Sequence, residues 1–253
     1  SASRVELGVS DVELALPRPS IELRAGQEPE LTEVAHQGHG FQRALIVAAL
    51  HLLAETGAQP GGASVLLGVE EPELFQHPTM VRHLARVLAQ LAEGGGPFQV
   101  CYTTHSALAL NPQQFDSVRL LRRHPGGARS VARASPEAVR ARLDSASSGP
   151  ATRNVTRALD ATFAEAFFAA AVVLCEGRND AAVVRGTADR LGVDLDAEGV
   201  VVAAASKGSI PIRYAILREL GIPTYVVFDG DRGAKNEQEA RTLNATILAL
   251  TGA

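Results

Sequence analysis

The chain has 253 residues, 46% of them hydrophobic, enough apolar material for one large core or two modest ones. A formal net charge of −4 excludes the footprint of a general nucleic-acid binder and leaves room only for a local basic patch. No apolar run is long enough to span a bilayer, the N-terminus has no signal-peptide pattern, and no CxxC pair exists to build a zinc ribbon or finger.

Cys101 and Cys175 fall inside apolar strand-like runs and are expected to be buried and reduced, which fits the cytoplasm and no membrane partner. The chain opens on Ser1 rather than Met, so a fragment or processed form is expected. In chain order, Val5, Leu7 and Val9, then Val12, Leu14 and Leu16, alternate with polar residues and predict short antiparallel strands. A helix follows Gly40, with Leu45, Ile46, Ala49, Leu50 and Leu53 on one face and Gly57 as its stop. Strands are expected over 64–69 and 98–103, with an amphipathic helix over 80–93 between them. The stretch 124–149, rich in Gly, Ser, Pro and Ala, reads as a linker with a short helix over 136–143. Arg119, Arg122, Arg123, Arg129, Arg133, Arg140 and Arg142 crowd this region with few acids. They form either a solvated face or a phosphate-contacting patch. A helix over 155–170 follows. Strands over 171–175, 199–203 and 223–228 then alternate with helices over 179–191, 209–220 and 234–250. That alternation predicts a parallel sheet.

The first half holds three stretches with a mechanism. The sequence His36-Gln37-Gly38-His39-Gly40-Phe41-Gln42-Arg43 precedes a helix. It is either a plain turn or a loop whose backbone N–H groups meet an anion. The apolar run Val65–Val69 delivers Glu70 and Glu71 at its tip. These acids either finish a strand or support Mg²⁺ and orient a water in nucleotide hydrolysis. The run Cys101-Tyr102-Thr103-Thr104 leads to His105, structural or aimed at a γ-phosphate.

The second half holds four carboxylates at strand ends. Ala171–Cys175 leads into Glu176, with Asp180 one helical turn on, and Thr224–Phe228 leads into Asp229-Gly230-Asp231. Taken singly, these are favourable acids in a first helical turn and a polar turn after a strand. Taken together at one end of a parallel sheet, they repel one another unless a cation neutralises them, and oxygen-only ligands suit Mg²⁺ or Mn²⁺. Two such ions about 4 Å apart serve phosphodiester cleavage. Gly177 and Gly230 are expected to let the backbone turn sharply beside the metals. Lys207, one of only two lysines, follows the middle strand and is either exposed at a helix start or a contact to the scissile phosphate.

In order and spacing, the three N-terminal stretches resemble the second half of an ABC-type ATPase. The resemblance implies Gly38, His39 and Gly40 as the signature loop, Glu70 as the Walker B acid, Glu71 as the catalytic glutamate and His105 as the switch histidine. The chain departs from that pattern in its Gln37-Gly38-His39-Gly40-Phe41 signature and in Glu70 at a position usually held by aspartate. It also holds no GxxxxGK[ST] loop, so slow ATP turnover is expected of it. The last third is similar to a TOPRIM domain, with Glu176, Asp229 and Asp231 at its Mg²⁺-binding positions. The order of ATPase motifs followed by TOPRIM resembles the overcoming-lysogenisation-defect (OLD) family of nucleases, and Asp180 matches that family's additional metal ligand.

The resemblance implies an α/β protein. An ABC-type ATPase portion would occupy 1–125, a linker 126–151 and a Rossmann-like TOPRIM domain 152–253. It implies a DNA endonuclease or nickase using two Mg²⁺ or Mn²⁺ ions on Glu176, Asp180, Asp229 and Asp231, with Lys207 on the phosphate. It implies ATP use by the complete enzyme, DNA as partner, a homodimer, an unidentified helicase as a further candidate partner, and a role in phage defence or DNA repair. The alternatives are a DNA-holding scaffold with a degenerate ATPase lobe and a topoisomerase-like strand transferase.

Overall fold

The computed structural model describes residues 4–10, 20–27, 30–56, 64–94, 98–124, 126–146, 159, 161–230 and 237–252. Two compact units divide the chain, residues 1–104 and 105–253.

The first unit opens with β1 (Arg4–Ser10), β2 (Ser20–Gln27) and β3 (Glu30–Glu33), an antiparallel sheet in the order β1-β2-β3. The alternation at Val5, Leu7 and Val9 thus yields the expected strand, while Val12, Leu14 and Leu16 lie outside the described residues. Helix α1 (His39–Thr56) follows, then β4 (Val65–Glu70), α2 (Pro78–Glu93) and β5 (Phe98–Thr103). β4 and β5 pair in parallel from Val65↔Phe98 to Glu70↔Thr103. Helix α2 starts where Pro78 presets the backbone at its first position and the His77 ring accepts from the Thr79 N–H. Its spacing of three and four residues puts Val81, Leu84, Val87, Leu88 and Leu91 on one buried face. That face packs on Leu67, Val69, Val100 and Tyr102, and each buried side chain contributes about 1.5–3 kcal/mol. On α1 only part of the expected apolar face is covered: Leu50 joins this cluster, whereas Ile46 and Ala49 are exposed.

Alternation on β4 and β5 leaves Leu66, Gly68, Gln99 and Cys101 exposed on the face away from α2. The expectation that Cys101 is buried is therefore corrected. Its position in the strand has the wrong parity, while Cys175 is fully buried.

The second unit contains an antiparallel hairpin, β6 (Leu120–Arg123) with β7 (Arg129–Ala132), and then α3 (Pro136–Ala146). The interval expected to act as a linker thus carries β7 and α3, and Val139 and Leu143 of α3 lie in the unit's main core. Within 155–170 the structure describes a 3-10 helix, Ala161–Phe168, and Leu159, Phe163 and Phe167 are buried in the unit's main core. Next come β8 (Ala171–Cys175), α4 (Arg178–Arg190), β9 (Val200–Ala204), α5 (Ile210–Glu219), β10 (Thr224–Val227) and α6 (Glu237–Thr251). The three strands are parallel, in the order β10-β8-β9. β9 lies on one side of β8, and the chain then crosses to place β10 on the other. β8 is therefore the point where the winding reverses, and ligands in such sheets gather at the carboxyl ends there. Helix α4 packs on β8 and β9, α5 on β10, and α3 and α6 cover α5. This double cover buries every residue of α5 from Ile210 to Leu217.

Candidate active site at the carboxyl ends of three parallel strands

Register brings the acids together. β8 and β10 pair from Val172↔Thr224 to Cys175↔Val227, so Glu176 and Phe228 leave the sheet side by side. The ladder continues one step further, with Glu176 N–H donating to Val227 O at 3.0 Å. The Asp229 N–H then donates to Glu176 Oε2 at 2.9 Å, tying the tip of β10 to the acid of β8. From the third strand, Lys207 places Nζ 3.5 Å from the same Oε2, donates to the Asp229 carbonyl oxygen and lies 5.6 Å from the centre of the Phe228 ring. Only 11% of the Lys207 side chain is exposed, so its ammonium is held in the cluster rather than in bulk water. Glu176 retains 24% exposure, and Asp229 is open to solvent.

Asp180 caps a helix. It sits in the first turn of α4, where Oδ2 accepts from the Gly177 N–H at 3.0 Å, satisfying a donor that the helix start leaves unpaired. Gly177 itself has φ −143° and ψ 171°, an extended backbone open to any residue, so the expected glycine-dependent sharp turn is absent there. A Cβ at this position would lie 3.4 Å from Asp180 Oδ2, an ordinary contact. Below the cluster the Cys175 thiol is pushed above its usual range, first by burial and then by the nearby Asp180 carboxylate, with Arg185 partly opposing.

Asp231 lies outside the described residues. Among the described residues no three His, Cys, Asp or Glu side chains gather as a metal-binding group. Glu176 and Asp229 stand at adjacent strand tips, joined through the Asp229 backbone N–H, and carboxylate oxygens alone suit a hard cation. Mg²⁺ is commonly held by one or two carboxylates and several waters, so the residues present fit such an ion. The ammonium of Lys207 sets a positive charge beside the Glu176 carboxylate.

Sequence reasoning missed two residues. Asn244 on α6 donates from Nδ2 to Gly230 O at 3.0 Å and keeps Oδ1 buried, fixing the turn that carries Asp229. Arg213 is 3% exposed, donates to Ala204 O at 3.3 Å and stacks 5.1 Å over the Phe163 ring, bracing the end of β9 ahead of Lys207. Asn244 follows Asp229 by fifteen positions on a helix with no motif around it. Arg213 sits in the stretch Ile210–Leu217, whose complete burial no periodicity announces.

In the first unit, Gly38 precedes α1 and His39 and Gly40 begin it, all three exposed, and the His39 ring stacks on Phe75 at 5.3 Å. Glu70 ends β4 with its side chain exposed. Glu71 has φ 40°, a left-handed conformation that costs a non-glycine residue on the order of 1 kcal/mol. Its N–H holds it there by donating to Thr103 O at 3.0 Å, extending the β4–β5 ladder past the strand. Thr104 Oγ1 donates to Glu73 Oε1 at 2.6 Å, closing the loop onto β5. His105 is exposed at the start of the second unit.

Comparison with known proteins follows the same division. Residues 10–108 match an AAA ATPase domain, and residues 167–231 match the TOPRIM domain of overcoming-lysogenization-defect-like proteins. An OLD nuclease of Thermus scotoductus is 29% identical over 232 residues, covering 90% of this chain and 42% of that protein. The Old nuclease of Escherichia phage P2 is 26% identical over 211 residues, covering 81% of this chain and 34% of that protein. The chain thus spans less than half the length of these curated relatives. The strand-end acids lie inside the TOPRIM match and Glu70 and Glu71 inside the ATPase match, so the chain is similar to the OLD-like proteins in carrying a region like an AAA ATPase domain followed by one like an OLD-like TOPRIM domain.

Proposed function

We propose that the chain is the part of a Mg²⁺- or Mn²⁺-dependent DNA nuclease that bears the TOPRIM site and a portion of its ATPase. The observation that carries this reading is the junction of Glu176, Asp229 and Lys207 from three adjacent strand ends. Glu176 and Asp229, with Asp180 and Asp231 beside them in sequence, would hold the divalent metal. When bound, the metal supplies charge neutralisation at the attacked phosphate and a water acidic enough to act as nucleophile. The chain's own groups prepare for this. The Asp229 N–H fixes the rotamer of Glu176 so that its carboxylate faces β10. Lys207, shielded and already hydrogen-bonded to the Asp229 carbonyl, directs a positive charge at the same spot, where it can bind a phosphate oxygen. Asn244 holds Gly230 and so steadies the turn that both aspartates flank.

For the ATPase portion, Glu71 is the residue that would orient the attacking water, with Glu70 supporting Mg²⁺ and His105 reaching the γ-phosphate. The strained backbone at Glu71 favours a role that needs a fixed carboxylate. Gly38, His39 and Gly40 would meet ATP across an interface between two copies, giving a homodimer working on DNA in the cytoplasm, in phage defence or repair.

A scaffold reading draws on one observation: Lys207 already neutralises Glu176 without a metal. Plasmid DNA incubated with Mn²⁺ separates the two. Nicked or linear product that disappears in Asp229→Ala supports the nuclease. Binding without any cut supports the scaffold, and a covalent protein–DNA adduct would point to strand transfer.

A further inference from the structure

We propose that the β6–β7 hairpin is a DNA-backbone contact surface, separate from the acidic site and carried by the same unit. Between Asp116 and Glu137 the chain has no acid and five arginines: Arg119, Arg122, Arg123, Arg129 and Arg133. The register sorts them. Leu121 pairs with Val131 and Arg123 with Arg129, so these four share one face of the ribbon. That face is in solvent: Leu121 is 70% and Val131 65% exposed, and both arginines are exposed. The other face is anchored. Leu120 packs against the unit's main core, and Arg122 donates to Ala169 O at 3.4 Å. At the turn, His124 N–H donates to Ala128 O at 2.8 Å, and the His124 ring meets Ser130 Oγ at 2.7 Å.

Two like charges directly opposite on neighbouring strands cost stability. Arg123 and Arg129 bear that cost on a solvent-facing ribbon that has no carboxylate of its own to relieve it. A row of phosphates laid across the hairpin would supply the missing negative charge, and releasing their counterions drives the association. A two-stranded ribbon also matches the width of the DNA major groove, where the Leu121–Val131 pair can meet thymine methyl groups. Arg122 meets Ala169, just before β8 begins, while Glu176 follows its end. The ribbon therefore engages DNA roughly 16 Å or more from the acids, the length of a five-residue strand. Its role is to position the duplex and not to cut it.

The choice of DNA as the polyanion rests on the nuclease reading, so the test measures binding without cleavage. Fluorescence anisotropy of a labelled duplex is followed against salt concentration with the full chain carrying Asp229→Ala, alone and combined with Arg123→Gln and Arg129→Gln. Loss of two phosphate contacts should weaken binding at low salt by about tenfold or more and reduce the slope of log K against log salt by about 2. The melting temperature should hold or rise, since a repulsive pair has gone; a purely structural role would lower it. Unchanged affinity and slope would overturn the proposal, as would equal loss of binding to a polyglutamate peptide, which would mark an acidic protein surface as the partner. Failure of the wild-type chain to cut DNA, with this salt response intact, would remove the nuclease reading and leave the ribbon standing.

Discussion

Glu176 meets both the Asp229 N–H and the Lys207 ammonium at the candidate site, and its chemistry is open to a direct test. Glu176→Gln keeps an oxygen for the Asp229 N–H but loses the charge. DNA cutting in Mn²⁺ should fall on the order of 10³-fold or more, with the melting temperature nearly unchanged. Plasmid nicking and circular dichroism on the same preparation check both halves. Asp180 combines a cap and a candidate ligand, and two substitutions separate them. Asp180→Asn retains an acceptor for the Gly177 N–H and should abolish cutting at little cost in stability. Asp180→Ala should in addition destabilise the fold by about 1 kcal/mol, read by urea unfolding. If Asp180→Asn cuts normally, the carboxylate serves the helix alone. The cysteines offer a third comparison. Cys101 is exposed, whereas Cys175 is buried and its thiol is pushed up, so at a given pH less of it is the reactive thiolate. Iodoacetamide at neutral pH should modify Cys101 first, and mass spectrometry of timed samples reads the order. Equal rates would mean that β8 is open to solvent.

Among the elements, the strands and their turns were the easier part to anticipate. β5 and β8 fall where apolar runs end in Thr103 and Cys175, because runs bounded by glycine, proline and charge leave little choice of register. Helix α2 begins two residues before its expected start, since Pro78 enters the first turn rather than preceding it. The turn into β9 depends on Gly199, at φ 66°, where a Cβ would lie 3.2 Å from the Ala170 Cβ. The adjoining Ala170 N–H donates to Gly199 O at 2.8 Å, tying this turn to the start of β8. Gly199→Ala should therefore destabilise the second unit by at least about 1 kcal/mol, measured by thermal or urea unfolding. A neutral result would show that the turn can relax without moving β9. α5 was legible as a helix from its length and flanks. Its burial on all sides was not, because that depends on α3 arriving from a stretch whose small residues read as a linker.

For the molecule as a whole, Glu70 and Glu71 lie in a region matching an AAA ATPase domain, yet the chain has no GxxxxGK[ST] loop to cradle the phosphates. ATP turnover by this polypeptide should thus stay well below about 1 s⁻¹, the low end of ordinary enzymes, in a phosphate-release assay. Turnover at a normal rate would require another source of phosphate contacts. The order of motifs along the chain and the acids at the strand tips are local properties, and periodicity and residue chemistry were enough to specify them, whereas the exposed side of β5, where Cys101 sits, was decided by α2 packing on the other face. Which tips meet is non-local. The β10-β8-β9 order sets Asp229 and Lys207 on opposite sides of Glu176, and residues 53 and 31 positions from Glu176 become its neighbours only through the pairing of parallel strands. Asn244, Arg213 and the Arg123–Arg129 face belong to the same class. Their partners are fixed by packing and cross-strand register, interactions that a linear pattern of apolar and polar residues does not encode.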